Sequence, residues 1–135
     1  MIGVLLVTHG TFGEHLLDAA QTILGPQEGC AVVAVDDTRP MDTILGDIKD
    51  HVRRLDRGNG VLILTDMFGG TPSNLSLSLL LQGKVEVVSG VNLPLLLKAL
   101  TNRSGTLHQV ALEAKSAGKQ GILVAGEVLR RKVSE

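Results

Sequence analysis

The chain has 135 residues, 44% of them hydrophobic, and a formal net charge of −1. This length favours one domain with an ordinary buried core, and the composition excludes a disordered chain. The near-zero charge, with two phenylalanines as the only aromatic residues, argues against a protein that binds nucleic acid or an anionic membrane surface.

Short apolar runs alternate with longer amphipathic segments along the whole chain. Continuous apolar strands that alternate with helices are typical of a mostly parallel sheet covered by helices on both faces, the doubly wound α/β class. Strands are predicted at about 2–8, 31–35, 61–65, 85–88 and 121–125, and helices at about 14–24, 41–57, 73–82, 93–100 and 106–117, with a charged tail at the end.

Two of these segments are harder to assign. Leucine and serine alternate over 73–82 as in a strand, but Thr71 as an N-cap with Pro72 at the first helical position favours a helix. A crossover between parallel strands also needs a helix at this point. The last strand follows two helical segments, so its direction and its place in the sheet do not follow from the local pattern.

The sequence lacks signs of export or of a membrane anchor. Cys30 is the only cysteine, which excludes an internal disulfide and a multi-cysteine metal site. The first residues enter a strand without the basic flank or cleavage site of a signal peptide, and no apolar stretch is long enough to span a bilayer. We expect a cytoplasmic protein that does not insert into a membrane.

Three strand ends carry unusual glycine-containing loops, each leading into a helix. In a parallel sheet these loops meet at the carboxyl ends of the strands, where ligands of α/β proteins bind. Helix N-termini attract phosphate through unpaired N–H groups, and glycine lets the backbone approach an anion closely. The three loops are 8–13 (Thr-His-Gly-Thr-Phe-Gly), 65–74 (Thr-Asp-Met-Phe-Gly-Gly-Thr-Pro-Ser-Asn) and 89–94 (Ser-Gly-Val-Asn-Leu-Pro).

His9 and Asp66 are the candidate catalytic residues in these loops. A carboxylate beside an imidazole fixes the tautomer of the ring by accepting one N–H, which leaves a lone pair on the other nitrogen. That nitrogen can attack phosphorus, while the carboxylate stabilises the cation that forms. Neither ATP nor a metal is needed if the donor is already a phosphohistidine, so we predict no cofactor.

Candidate phosphate-binding groups surround this pair, but several have simpler explanations. Capping of a helix alone would explain Thr71 and Asn92. The proposed set is Gly10, Thr11, Gly70, Thr71, Ser73 and Asn92.

Familiar motifs of other enzyme classes are missing. The chain has no Gly-x-x-x-x-Gly-Lys-Ser/Thr loop and no Gly-x-Ser-x-Gly elbow, and 10–13 is not a dinucleotide fingerprint. These absences weaken the kinase, esterase and dehydrogenase hypotheses.

The three loops together resemble the A component (enzyme IIA) of the mannose-type phosphoenolpyruvate-dependent sugar phosphotransferase system. That family carries Thr-His-Gly after strand one, found here at 8–10. It has Asp, an aromatic residue, Gly-Gly, Ser/Thr-Pro and Asn after strand three, found here at 66–74, and Gly-Val-Asn-hydrophobic-Pro after strand four, found here at 90–94. The resemblance covers nearly the whole chain, although Phe68 stands where tryptophan is common.

The resemblance implies a function and an assembly. His9 would accept a phosphoryl group from the phosphocarrier protein HPr on its Nε2 atom and pass it to the B component (IIB) of the system, with Nδ1–H bonded to Asp66. The family sheet has four parallel strands and one antiparallel strand that two subunits exchange in a homodimer. Residues 121–125 occupy the position of that exchanged strand.

Two other functions stay open. Because the chain ends after the A domain, without a B domain, the protein can instead be a regulator whose phosphorylation on His9 controls a partner. A metal-dependent hydrolase would use His9 and Asp66 with Asp36 and Asp37, although the two aspartates also fit a turn before Pro40. The other histidines, in predicted helices, are expected to have no chemistry: His15, His51 and His108.

Overall fold

The computed structural model describes residues 1–134 and shows four strands and six helices in that range. The elements alternate as predicted through the first four strands. In chain order they are β1 Gly3–His9, α1 Phe12–Leu24, β2 Cys30–Val35, α2 Met41–Leu55, β3 Val61–Thr65, α3 Thr71–Leu77, β4 Val85–Ser89, α4 Leu93–Thr101, α5 Leu107–Gln120 and α6 Ala125–Ser134.

The four strands form one parallel sheet in the order β2-β1-β3-β4. β1 and β3 are therefore central and are buried on both faces, which explains why their sequences are apolar without alternation. The doubly wound α/β fold predicted from the sequence is confirmed.

Successive residues of the central strands point into two separate cores. One core, under α1, α4 and α5, takes Val4 and Leu6 of β1 and their counterparts in β3. The other core, under α2 and α3, takes Leu5 and Val7. Helices thus cover both faces, and the carboxyl end of the sheet, where His9, Val35, Thr65 and Ser89 end their strands, is left for the loops.

α3 is shorter than the predicted helix over 73–82. It ends at Leu77, and Leu81 turns back to bond with Val85 at the start of β4. The hydroxyls of Ser76 and Ser78 donate to main-chain carbonyls of the preceding turn, a local competition that weakens a helix. The predicted N-cap was also one residue late, because Gly70 caps the helix and Thr71 is its first residue.

The C-terminal region differs most from the prediction. Residues 121–124 pair with no strand within the described chain, and their apolar side chains are exposed. Ala125 starts α6, where we predicted only a charged tail. The short apolar run is typical of a strand, but a strand needs a neighbouring strand to bond with, and the described residues supply none.

Within residues 1–134, no helix is both long enough and apolar enough to cross a membrane.

Candidate functional site

His9 and Asp66 meet at the carboxyl end of the sheet. The parallel pairing of β1 with β3 places Val7 opposite Thr65, so His9, two residues further along β1, lies beside the residues that directly follow β3. The Nδ1 atom of His9 lies 2.8 Å from Oδ2 of Asp66, and the main-chain N–H of His9 donates to the same oxygen at 3.0 Å. The other oxygen, Oδ1, accepts from the main-chain N–H of Met67.

This carboxylate is well suited to hold the ring in one tautomer. Burial alone would raise the pKa of Asp66, but the hydrogen bonds from the main chain and ring of His9 lower the pKa below its usual range. The group is therefore ionised at neutral pH and can only accept, so the neutral ring bonds to it as Nδ1–H and keeps its lone pair on Nε2.

The imidazole is accessible. The side chain of His9 is 49% exposed, whereas that of Asp66 is 16% exposed. An approaching group can therefore reach the ring while the carboxylate behind it stays mostly shielded, which strengthens their interaction.

Gly70 borders the ring where a side chain would not fit. A Cβ atom built on Gly70 would lie 2.9 Å from Cε1 and 3.4 Å from Nε2 of His9. The backbone of Gly70 has an ordinary extended conformation, with φ −86° and ψ 174°, so the ring rather than the torsion angles requires glycine here. The start of α3 is thus in contact with the reactive edge of the imidazole.

Buried hydroxyls hold the strand ends and loops in place. Thr8 accepts from the N–H of Gly13 in the first turn of α1, at 2.8 Å. The hydroxyl of Thr65 donates to Ser89 at 2.8 Å, and the carbonyl of Thr65 accepts from the N–H groups of Gly90 and Val91. The role of Thr8 and Thr65 in holding these loops was not predicted, although a polar residue near the end of an otherwise apolar strand can indicate such a role.

The candidate phosphate-binding residues fall into two groups. Gly10, Thr11, Gly70 and Thr71 lie in the loops that flank the His9–Asp66 pair, and Gly10 takes the left-handed conformation with φ +52°. Ser73, in the first turn of α3, is fully buried and its hydroxyl has no hydrogen-bond partner among the described residues.

Asn92 is already engaged in the fold. Its side-chain oxygen accepts from the N–H of Leu95 at the start of α4, and its amide group donates to the carbonyl of Gly118 in α5. To bind phosphate through its side chain, Asn92 would have to give up one of these bonds. The capping alternative is therefore the better supported one for this residue.

The remaining sequence candidates do not join the pair. Asp36 accepts from the N–H and hydroxyl of Thr38 in the turn after β2, as the turn hypothesis predicted. No group of three or more His, Cys, Asp or Glu residues that could hold a metal occurs in the described range. His15 bonds to the carbonyl of Thr11 within α1, and His51 and His108 lie in α2 and α5.

The chain matches a known protein family. Residues 3–115 match the EIIA-man family, described as the "PTS system fructose IIA component". The chain belongs to this family. The resemblance to the mannose-type phosphotransferase system (PTS) noted from the three loops is thereby confirmed.

The relatives whose names state a function are distant in sequence. The chain is 29% identical over 124 residues to the PTS system mannose-specific EIIAB component of Escherichia coli, covering 90% of this chain and 38% of that protein. It is 28% identical over 133 residues to the PTS system fructose-specific EIIA component of Bacillus subtilis, covering 97% of this chain and 91% of that protein. This IIA chain thus spans about two fifths of the E. coli protein.

Solved structures share the fold. The phosphotransferase system component EIIA from Streptococcus agalactiae superposes with a TM-score of 0.85 at 26% identity, covering 94% of this chain and 99% of that one. The mannose/sorbose-specific IIA subunit from Enterococcus faecalis gives a TM-score of 0.81 at 23% identity, covering 91% of this chain and 93% of that one.

The lowered pKa of Asp66 predicts how the pair responds to acid. The folded protein favours the ionised form of Asp66, so this carboxylate adds to the free energy of unfolding above the ordinary aspartate pKa, about 3.9. That contribution is lost as the pH falls through the lower pKa of the folded state. Titration of the Asp66 Cγ resonance by NMR should give a midpoint below about 3.9. In His9→Ala, which removes the ring bond but keeps the main-chain N–H bond, the midpoint should rise; an unmoved midpoint would show that the ring does not stabilise the carboxylate.

Gly70→Ala tests the close approach to the ring. The added methyl group collides with Cε1 of His9, so the ring must turn away from its bonded position. We expect the His9 ring resonances to shift and its bond to Asp66 to weaken, because the ring loses its bonded position. Gly46→Ala is the matched control, because a Cβ on that helical glycine meets nothing within 4 Å. His9 ring resonances that stay unshifted in Gly70→Ala would contradict the steric argument.

Proposed function

We propose that this IIA component is a phosphoryl carrier of the sugar phosphotransferase system, which accepts a phosphoryl group from phospho-HPr on Nε2 of His9 and passes it to a IIB component. Family membership supports the general carrier role. The single observation that supports the residue assignment is the 2.8 Å contact between Nδ1 of the exposed His9 ring and Oδ2 of Asp66.

The transfer needs only groups that this site contains or that the donor brings. The lone pair of Nε2 attacks the phosphorus atom of the donor's phosphohistidine, the new N–P bond forms, and the bond from phosphorus to the donor's ring nitrogen breaks and returns its electron pair to that nitrogen. The His9 ring keeps its proton on Nδ1 and becomes cationic, and the carboxylate of Asp66 stabilises this charge. The reverse sequence on an acceptor histidine or cysteine discharges the carrier.

The loops would hold the phosphoryl oxygens. In this proposal the main-chain N–H groups beside Gly10 and Gly70, with the hydroxyls of Thr11 and Thr71, donate to the phosphate. Ser73 is a further donor, because a buried hydroxyl without a partner is rare and costs free energy unless something satisfies it. Asn92 contributes by fixing the start of α4 rather than by direct contact.

Substitution of the two catalytic candidates tests the assignment. His9→Ala should abolish the gain of one phosphoryl mass when the protein is incubated with phosphoenolpyruvate, enzyme I and HPr, because no attacking nitrogen remains. Asp66→Ala should retain labelling but slow it by about a hundredfold, the size of effect that loss of one charge-stabilising group has in other enzymes.

The same experiment has a direct control and a second stage. His15→Ala, in the first turn of α1, should label as the unsubstituted protein does. Labelling that persists in His9→Ala would remove His9 from the mechanism. Transfer onward to a purified IIB component separates the carrier from the regulatory alternative, because a regulator would be labelled without discharging to IIB.

We also propose that two copies pair through residues 121–125, as the family resemblance implies. Ile122, Leu123 and Val124 are each more than 60% exposed. Beyond Val85, which bonds to Leu81, the outer edge of β4 pairs with no other strand among the described residues. A strand donated by a second copy would satisfy both surfaces.

A charged residue in this segment should prevent the pairing. Leu123→Asp is expected to reduce the mass measured by light scattering from twice 14.2 kDa to 14.2 kDa, because the aspartate would be buried in the interface. Ile23→Asp, at a residue of similar exposure in α1, is the control and should stay dimeric. A dimer that survives Leu123→Asp would place the interface elsewhere.

A further inference from the structure

All three methionines of the chain are exposed, whereas the buried cores consist mainly of leucine, isoleucine, valine and alanine. The exposed fractions of Met1, Met41 and Met67 are 46%, 58% and 54%, respectively. A methionine inside a core fills gaps and is shielded from solvent, but an exposed thioether can be oxidised to a sulfoxide. The chain therefore has three candidate oxidation sites, and one of them, Met67, directly follows Asp66.

The main chain fixes Met67 beside the candidate catalytic pair. Its N–H donates to Oδ1 of Asp66 at 3.1 Å, while Oδ2 of the same carboxylate is bonded to the ring of His9. The position of the Met67 backbone is thus tied to the carboxylate that holds the ring.

The side chain of Met67 borders the same glycine as the reactive edge of the ring. A Cβ atom built on Gly70 would lie 3.5 Å from Cγ of Met67, 2.9 Å from Cε1 of His9 and 3.4 Å from its Nε2. The sulfur is bonded directly to Cγ, and the methionine side chain is flexible, so rotation can bring the sulfur to the edge of the ring. A change in the polarity of this thioether therefore changes the surroundings of Nε2.

We propose that Met67 is a reversible oxidation site, at which a peroxide converts the thioether to a sulfoxide and thereby inhibits phosphorylation of His9. This inference rests on the proposed function, because it concerns the regulation of the same nitrogen atom. A lone pair of the sulfur attacks one oxygen of hydrogen peroxide, the S–O bond forms and the O–O bond breaks. The departing hydroxide takes the proton from the transferred oxygen, so the products are the sulfoxide and one water molecule.

The sulfoxide would favour a proton on the nitrogen that has to react. Its oxygen is a polar hydrogen-bond acceptor that replaces a weak one. Because two acceptors repel each other, this oxygen disfavours the lone pair on Nε2 and favours an N–H there. With Nδ1–H already bonded to the ionised Asp66, the ring becomes an imidazolium with a donor on each nitrogen. The lone pair that attacks phosphorus is then occupied.

The oxidised side chain would also oppose the incoming group. The sulfoxide oxygen carries partial negative charge, as the phosphoryl oxygens do, and the two repel each other at short distance. Both effects act in the same direction, so oxidation of Met67 slows phosphorylation of His9.

Cys30 is a poorer target for a peroxide than Met67. Burial raises the pKa of the Cys30 thiol, against the opposing effect of Arg103, and peroxides oxidise the thiolate rather than the thiol. Cys30 also begins β2 beside Val4, whereas His9 pairs with the last residue of that strand. Oxidation of the cysteine would therefore be slow and remote from the ring.

Oxidation with hydrogen peroxide, followed by labelling with phosphoramidate, tests the inference. Phosphoramidate needs no protein partner, because its P–N bond breaks with release of ammonia as the bond to Nε2 forms. Peptide mass spectrometry measures the oxygen on Met67 and the phosphoryl group on His9 separately. We expect protein oxidised at Met67 to be labelled about tenfold more slowly, because a hydrogen bond of Nε2 worth about 1.4 kcal/mol must first break.

Two variants and a reduction step identify the sulfur that is responsible. Met67→Leu cannot be oxidised at this position, so its labelling rate should be the same before and after peroxide. Met41→Leu removes a methionine of similar exposure but retains Met67, so it should be slowed as the unsubstituted protein is. Methionine sulfoxide reductases A and B, which reduce the two sulfoxide epimers, should restore the rate of the oxidised protein.

The protonation of the ring gives a readout that does not depend on the phosphoryl donor. The ¹⁵N chemical shift of Nε2 in His9 distinguishes a lone pair from an N–H. At neutral pH, oxidation of Met67 should increase the fraction of the ring that carries a proton on Nε2. A Nε2 resonance that oxidation leaves unchanged would overturn the inference.

The outcomes separate this inference from the function on which it rests. If neither phosphoramidate nor phospho-HPr labels His9 in the untreated protein, the proposed function itself fails. If His9 is labelled equally fast before and after oxidation of Met67, the inference is wrong while the carrier role stands. Peroxide that oxidises Met1 and Met41 but not Met67, or an equal loss of rate in Met67→Leu, would overturn the inference as well.

Discussion

The hydrogen bond between His9 and Asp66 is the interaction on which the site depends, and the parallel pairing of β1 with β3 makes it possible. Two residues that are 57 positions apart in sequence meet because Asp66 follows directly after β3, beside the last residues of β1. The backbone N–H of His9 and its ring nitrogen bond to the same carboxylate oxygen, so the ring and the strand end are fixed together. A shift of either strand by one residue would turn one of these side chains to the other face of the sheet.

The site balances shielding against access. Asp66 must be buried enough to hold one tautomer strongly, yet burial by itself favours its protonated form. The bonds from His9 overcome that tendency and keep Asp66 ionised. The ionised carboxylate in turn holds the neutral ring with its proton on Nδ1. The ring is also open to solvent, and Gly70 places no side chain at its edge.

Sequence alone predicted the parts of this molecule that depend on local pattern. The four apolar strands and the meeting of His9 with Asp66 follow from periodicity and from the geometry of parallel sheets. The end of α3 was not predicted, because it depends on the hydrogen bonds that the serine hydroxyls make to main-chain carbonyls. The C-terminal segment was predicted to be a strand, but residues 121–124 pair with no strand among the described residues. Pairing with a second chain does not follow from the pattern of one sequence. The bond from Asn92 to Gly118 was also not predicted, because it depends on how α4 packs against α5.

The opposite end of the sheet shows why the chemistry is confined to one end. There the buried guanidinium of Arg103 donates to the main-chain carbonyls of Ile2, Glu28 and Gly29, all within 3 Å. Gly29 lies so close that a Cβ would stand 2.8 Å from the Arg103 Nη2 atom. A buried charge whose donors are satisfied by fixed carbonyls ties the incoming strands together. The carboxyl end has the reverse arrangement, because there a carboxylate is bonded to the main chain and the ring of an exposed histidine.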